Sequence, residues 1–160
     1  MNQGAELPER SRQVARVLEE LGLSGRVRAL PASTRTAAEA AQALGCEVGA
    51  IANSLVFMAD EAPLLVMTSG RHRVDVELLA ERTGKGRIRR AEPEEVRAAT
   101  GQAIGGVAPV GHPKPVETVV DPSLADHPTL WAAGGTPNTI FPLTYTELVE
   151  ITGGAEVPVN

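Results

Sequence analysis

The sequence predicts an α+β fold built on a mixed β-sheet. Three observations carry this. Helix-period and strand-like apolar segments follow one another without strict alternation, which argues against a regular parallel βαβ sheet. Two continuous apolar runs, Ser54-Leu55-Val56-Phe57-Met58 and Leu64-Leu65-Val66-Met67, read as central strands buried on both faces. A chain of 160 residues can also bury about 70% of its unfolded surface in one compact unit. Residues 1–160 therefore read as a single domain.

The elements follow in order. Pro8 opens a helix whose Val14, Val17, Leu18 and Leu21 keep the helical repeat, and Gly22 ends it. Val27–Leu30 is a short strand closed by Pro31. Thr36 and Glu39 form a capping box for an Ala-rich helix over 37–44, stopped by Gly45. Ala50–Ala59 and Pro63–Ser69 are strands joined by the turn Asp60-Glu61-Ala62. Val76–Thr83 and Pro93–Thr100 are helices, the second with Glu94 and Glu95 in its first turn. Gly101–Pro115 has no periodicity. Val116–Val120 and Thr129–Ala133 are strands, Gly134–Asn138 is a loop, and Thr144 with Glu147 caps a last helix before a Gly153-Gly154 tail.

Composition excludes several classes of function. Hydrophobic residues make up 42% and charged residues 22%, which is globular rather than disordered or fibrous. The aromatics are Phe57, Trp131, Phe141 and Tyr145, too few for a broad base-stacking platform. Cys46 stands alone, so no internal disulfide forms. No apolar run approaches the ~20 residues that span a bilayer, and the polar N-terminus does not resemble a signal peptide. A cytoplasmic protein without a membrane partner is expected.

The net charge of −5 argues against sequence-independent binding of long nucleic acid, and no specific DNA partner is expected. Charge is nevertheless uneven. Residues 71–90 hold Arg71, Arg73, Arg82, Lys85, Arg87, Arg89 and Arg90 against Asp75, Glu77 and Glu81. That excess suits the few phosphates of an RNA end, although on this stretch alone a solvated surface is the better reading.

Most catalytic signatures are absent. His72, His112, His127 and Cys46 show no metal-ligand spacing, so no metal is expected. There is no GxSxG nucleophile elbow, and Gly101-x-x-x-Gly105-Gly106 lacks the Lys and Ser/Thr of a phosphate-binding loop. Two glycine-rich loops remain. In Gly105-Gly106-Val107-Ala108-Pro109-Val110-Gly111-His112 the glycines let backbone approach a ligand and aim N–H groups at an oxyanion. An ordinary long loop fits that pattern equally well. Gly134-Gly135-Thr136-Pro137-Asn138 suits a small pocket wall, but composition alone favours a hairpin connection.

Five segments in order over about residues 30–150 resemble the YbaK/ProX family. They are Ser33-Thr34-Arg35-Thr36-Ala37, Ile51-Ala52-Asn53-Ser54-Leu55-Val56-Phe57, Ser69-Gly70-x-x-Arg73-Val74-Asp75, Thr100-Gly101-x-x-Ile104-Gly105-Gly106-Val107-x-Pro109-Val110-Gly111-His112 and Trp131-Ala132-Ala133-Gly134-Gly135. The resemblance implies a mixed sheet partly curled into a barrel with helices around it. It implies hydrolysis of wrongly charged tRNA in trans, most often tRNA for proline carrying alanine or cysteine, as in the editing insertion of bacterial prolyl-tRNA synthetase. No cofactor is implied. The partners implied are the acceptor end of aminoacylated tRNA and a prolyl-tRNA synthetase.

The resemblance also assigns roles. Asn53 orients the ester carbonyl or ribose hydroxyl, and backbone N–H groups at Gly105 and Gly106 hold the developing oxyanion. Ser54, Phe57, Val107, Ala108, Pro109, Gly111, His112, Gly134, Gly135 and Thr136 form the substrate pocket, and Arg71, Arg73, Lys85 and Arg87 meet acceptor-stem phosphates. His112 as a general base is disfavoured against a loop-capping role, and Ser54 is equally well a satisfied strand serine. Asn53 is a departure, because other branches of the family carry an activity-bearing lysine there. Three readings stay open: a deacylase of altered specificity, a non-catalytic binder of aminoacyl-tRNA, or a deacylase whose cation comes from elsewhere, with Arg73 nearest. The first is preferred, since both glycine loops keep their pattern.

Overall fold

The computed structural model describes residues 7–31 and 36–160. The motif residues Ser33, Thr34 and Arg35 and the first six residues lie outside that range. The chain runs α1 (Glu9–Glu20), β1 (Arg28–Ala29), α2 (Ala37–Leu44), β2 (Ile51–Ala59), β3 (Ala62–Ser69), α3 (Val76–Thr83), β4 (Ile88–Arg90), α4 (Pro93–Thr100), β5 (Glu117–Val120), β6 (Leu130–Ala133), β7 (Thr139–Leu143), α5 (Tyr145–Thr152) and β8 (Ala155–Glu156). All strands join one mixed sheet ordered β1-β7-β6-β2-β3-β5-β8, with β4 on β2.

Local chemistry accounts for most boundaries. Thr36 accepts from the Glu39 N–H while Glu39 reaches back to the Thr36 N–H, and Gly45 ends α2 in the left-handed conformation at φ 68°. Thr144 and Glu147 repeat the device on α5. The β2–β3 turn is two residues rather than three, with Asp60 and Glu61 both at positive φ, as a tight hairpin needs. The Asp60 carboxylate accepts from the Gly86 and Arg87 N–H groups at 2.9 Å each, which ties the turn to the approach to β4.

Three strands are not legible in the sequence. β4 lies inside the basic stretch and pairs antiparallel with the end of β2. β7 pairs with both β6 and β1, so the Gly134–Asn138 loop is a hairpin connection. β8 turns the expected tail into a parallel partner of β5. Leu21 is 46% exposed: α1 ends at Glu20, and Leu21 is its C-cap residue rather than part of its buried face.

Alternation along β2 and β3 divides the core. Ala52, Val56, Leu65 and Met67 face a cluster closed by α1, α4 and α5 through Val14, Val96 and Leu148. Phe57, Leu64 and Val66 face α3 and Leu79 on the other side. Ala40 and Ala41 of α2 seal a third cluster against Ile51 and Ile140.

The main consequence of this topology is a gap in the sheet. β2 has β3 along one whole edge. Its other edge carries β6 only at Ile51 and Ala52, and β4 only from Phe57 to Ala59. Between them, residues 53–55 have no strand on that edge among the described residues, and the Val56 carbonyl accepts from the Ala91 N–H just past β4.

Candidate active-site cleft

A cleft of about 690 Å³ lies over that gap, and Asn53, Ser54, Val74, Arg73, Arg90 and Gly105 are among its walls. A side recess of about 30 Å³ continues from Asn53 and Ser54 toward Ala37, Ala40, Ala133 and Trp131. Asn53, Ser54, Gly105 and Val107 belong to both spaces. The sheet edge and the first glycine loop therefore meet in one opening.

Strand geometry decides what β2 presents there. The Ile51 carbonyl accepts from the Gly70 N–H on the β3 side, whereas the Val56 carbonyl accepts from the Ala91 N–H on the opposite side. Antiparallel bonding alternates from residue to residue. Ser54, in phase with Val56, therefore directs its N–H and carbonyl to the open edge. The side chains alternate too: Asn53 sits opposite Thr68, and Ser54 opposite Met67 on the other face. The Ser54 hydroxyl donates to the Met67 Sδ at 3.3 Å, a weak acceptor, so its backbone rather than its side chain is the group offered to the cleft.

The first glycine loop reaches the cleft only in part. Gly105, at φ 90°, and Val107 line it. Gly106 does not. Its N–H donates to the Ala103 carbonyl, and a Cβ added there would collide with the backbone of Thr136 and Pro137. Glycine is needed at 106 because the two loops touch backbone to backbone. Gly106 therefore offers no oxyanion donor, which corrects the expected pair of N–H groups. Ala108 is also turned away, buried with its N–H bound at 2.6 Å by the Gln102 side chain.

The end of that loop faces elsewhere. Pro109, Gly111 and His112 border a separate groove with Val17 and Leu21. His112 Nε2 bonds the Ala108 carbonyl at 2.8 Å, and burial lowers its pKa despite that bond. His112 thus caps the loop. Gly134, Gly135 and Thr136 also lie behind the cleft: a Cβ at Gly135 would meet Val14 at 3.0 Å, and the Thr136 hydroxyl bonds Asn138 and Thr139. The second loop supports the first instead of walling the pocket. Phe57 stays, buried at 1% exposure in the cleft floor with the Arg90 guanidinium 5.7 Å above its ring.

The expected phosphate contacts divide similarly. Arg71 pairs with Asp126 at 3.5 Å and Lys85 with Glu117 at 2.8 Å. Arg87 is exposed beside the Asp60 turn, outside the cleft walls. Arg73 is at the cleft, joined by Arg90, and neither pairs with a carboxylate among the described residues. Arg89, adjacent in sequence, is instead clamped between Glu61 and Glu95. Arg28 stacks 5.4 Å from Trp131 beside the recess.

One further cluster borders the cleft. His72 lines it, with Nδ1 2.8 Å from Oδ2 of Asp121, which is buried at 2% side-chain exposure. Burial alone would raise the Asp121 pKa, but the Ser69 and Ser123 N–H groups, His72 and the Ser123 hydroxyl together bring it below its usual value. Sequence reasoning dismisses His72 as lacking a metal partner, counts Arg90 only as part of the basic stretch 71–90, and passes over Asp121 and Gln102. The signal available is the run Asp121-Pro122-Ser123, an acidic cap on the short 3₁₀ turn Pro122–Asp126.

The profile of the aminoacyl-tRNA editing domain matches residues 31–151. A crystal structure described as a candidate trans-editing enzyme for prolyl tRNA synthetase superposes with a TM-score of 0.90 at 45% identity, covering 96% of this chain and 98% of that one. YwhH of Bacillus subtilis is 33% identical over 119 residues, 74% of this chain and 75% of that protein. EbsC of Enterococcus faecalis, described as a candidate Cys-tRNA(Pro)/Cys-tRNA(Cys) deacylase, is 25% identical over 126 residues, 73% of this chain and 77% of its own length. Among the described residues, no helix is long and apolar enough to cross a membrane.

Proposed function

The chain belongs to the aminoacyl-tRNA editing domain family, and on that premise we propose that it hydrolyses the ester of tRNA for proline carrying a small wrong amino acid. The observation that carries this reading is the open edge of β2. It brings the Asn53 amide, the Ser54 backbone and the side-chain-free Gly105 into one cleft rimmed by two arginines without carboxylate partners among the described residues.

Each part has a task. Arg73 and Arg90 meet phosphates of the acceptor end, and the terminal ribose lies over Gly105, where no side chain obstructs it. The ester carbonyl points to the β2 edge. There the Ser54 N–H and the Asn53 amide donate to the oxygen as it becomes an oxyanion, a role in which one donor is typically worth about 10²–10³ in rate. Water is the nucleophile.

The recess sets the size of the aminoacyl group. Its volume of about 30 Å³ compares with the roughly 10–15 Å³ that one water needs. A methyl, hydroxymethyl or mercaptomethyl group fits; a branched side chain does not. Its lining is mixed, apolar at Ala37, Ala40, Ile51 and Ile140 and polar at Thr36, Asn53 and Ser54, so size rather than polarity is what it selects. Discrimination per methylene in such a pocket is about 1–3 kcal/mol. The partners of this reading are aminoacylated tRNA and, by the likeness to the trans-editing protein, a prolyl-tRNA synthetase that supplies the mischarged product.

The test is deacylation of tRNA for proline charged separately with alanine, cysteine and serine, at protein well below substrate. Multiple turnovers on alanyl- or cysteinyl-tRNA are expected. Flat traces on all three, with binding retained and the ester protected, would replace the enzyme with a binding module.

A further inference from the structure

We propose that His72, held by Asp121, is the general base that takes the proton from the attacking water. The inference rests on the deacylase reading above and adds the group that reading lacks, since neither Asn53 nor a backbone N–H can accept a proton from water.

The geometry defines the tautomer. The ionised Asp121 carboxylate cannot donate, so the proton of the neutral His72 ring sits on Nδ1, 2.8 Å from Oδ2. The lone pair is then on Nε2, at the far edge of the ring. His72 is 22% exposed and lines the cleft, and Nε2 has no hydrogen-bond partner among the described residues. Asp121 is itself fixed. Oδ2 also accepts from the Ser69 N–H at 3.1 Å and Thr68 Oγ1 at 3.3 Å, and Oδ1 accepts from the Ser123 N–H at 3.0 Å and its hydroxyl at 2.9 Å. Thr68 stands opposite Asn53 in the β2–β3 pairing, so the carboxylate is anchored at the register position of the proposed oxyanion donor.

Ser123 invites comparison with a Ser–His–Asp triad and fails it. In a triad the serine bonds the imidazole nitrogen remote from the carboxylate. Here the Ser123 oxygen is 3.2 Å from Nδ1, on the same side as Asp121. No acyl-enzyme can form through it, and the nucleophile is water.

The step balances without a cofactor. A water proton moves to Nε2 as its oxygen bonds the ester carbon, and the carbonyl electron pair becomes the oxyanion. On collapse the bond from carbon to the ribose oxygen breaks, and that oxygen takes the proton back from Nε2. The products are the free amino acid and a tRNA hydroxyl.

Steady-state deacylation of His72→Ala and His72→Gln is compared with wild type, with added imidazole as a rescue agent. Loss of kcat by about 10²–10⁴ is expected, with KM nearly unchanged and partial rescue of His72→Ala by imidazole. Long-range ¹⁵N–¹H spectra of histidine-labelled protein give a second readout, independent of activity, in which the neutral His72 ring carries its proton on Nδ1. Activity in His72→Ala within threefold of wild type, or an Nε2–H tautomer, would overturn the base while leaving the deacylase standing. A wild-type protein that binds but never turns over would overturn both.

Discussion

The two ends of β2 are built from similar residues and do different things. From Phe57 to Ala59 the strand has β3 on one edge and β4 on the other, and these residues are buried. From Asn53 to Leu55 it has β3 alone, and these residues are only half-buried. The difference lies in the neighbours: the ladder to β6 ends at the Ala52–Ala132 pair, and β4 ends at Arg90, opposite Phe57. A strand that is central at one end and an edge at the other exposes backbone donors on a rigid frame. An ordinary edge strand would offer the same groups without the support of buried flanks on both sides.

If that contrast is right, damage at the closed end costs stability. Phe57→Ala removes a ring that is 1% exposed between Leu64, Val66 and Leu79. A loss of about 3–5 kcal/mol is expected from chemical denaturation, as for other buried aromatic truncations. A loss below about 1 kcal/mol would mean that the floor of the cleft collapses to fill the space. Damage at the open end should cost chemistry. Asn53→Ala is expected to lower kcat/KM about 10- to 100-fold, equivalent to roughly 1.4–2.7 kcal/mol of transition-state stabilisation. Its melting temperature should stay close to that of wild type. A large fall in melting temperature with normal turnover by the folded fraction would make Asn53 a structural residue.

The same contrast explains what can be read from the sequence. The closed end is legible because burial on both faces writes continuous apolar runs. The capped helices are legible because Thr36–Glu39, Thr144–Glu147 and Gly45 are short-range chemistry. β4 is hidden because only Ile88 of its three residues is buried, so Arg89 and Arg90 read as surface charge. β7 is masked by Pro142, which pairs opposite Trp131 although proline usually signals an edge or a break. In the site, Asn53 and Gly105 are visible through motif order. Gly106 is visible as a point of close backbone approach, but a glycine does not say what approaches, and the answer is Thr136. His72 and Asp121 are 49 residues apart and come together only through the parallel pairing of β3 with β5.

A smaller effect separates the two arginines at the open end from their neighbours. Arg73→Ala and Arg90→Ala should each raise KM for charged tRNA several-fold. Each should also flatten its salt dependence by about one unit in the log–log slope for every phosphate that the arginine neutralises. Arg87→Ala, outside the cleft, should leave both nearly unchanged. Equal effects from all three would mean that diffuse surface charge, rather than the cleft rim, holds the tRNA.

The smallest effect is local and depends on pH. The folded-state pKa of Asp121 is lower than in the unfolded chain, so its contribution is complete above the unfolded value of about 3.9 and disappears as pH falls through the lower folded value. Protonation weakens the bonds that Asp121 accepts from the Ser69 and Ser123 N–H groups, the first at the open end of the β2–β3 pair and the second on the 3₁₀ turn that follows β5. Hydrogen exchange followed by NMR from about pH 5 toward pH 3 should show their protection falling relative to Leu65, which is fully buried in the middle of β3, four residues before Ser69. Protection that falls in parallel at all three would mean that acid loosens the sheet as a whole. The two ends of β2 would then share one stability, and the open edge would owe its availability to the missing strand alone.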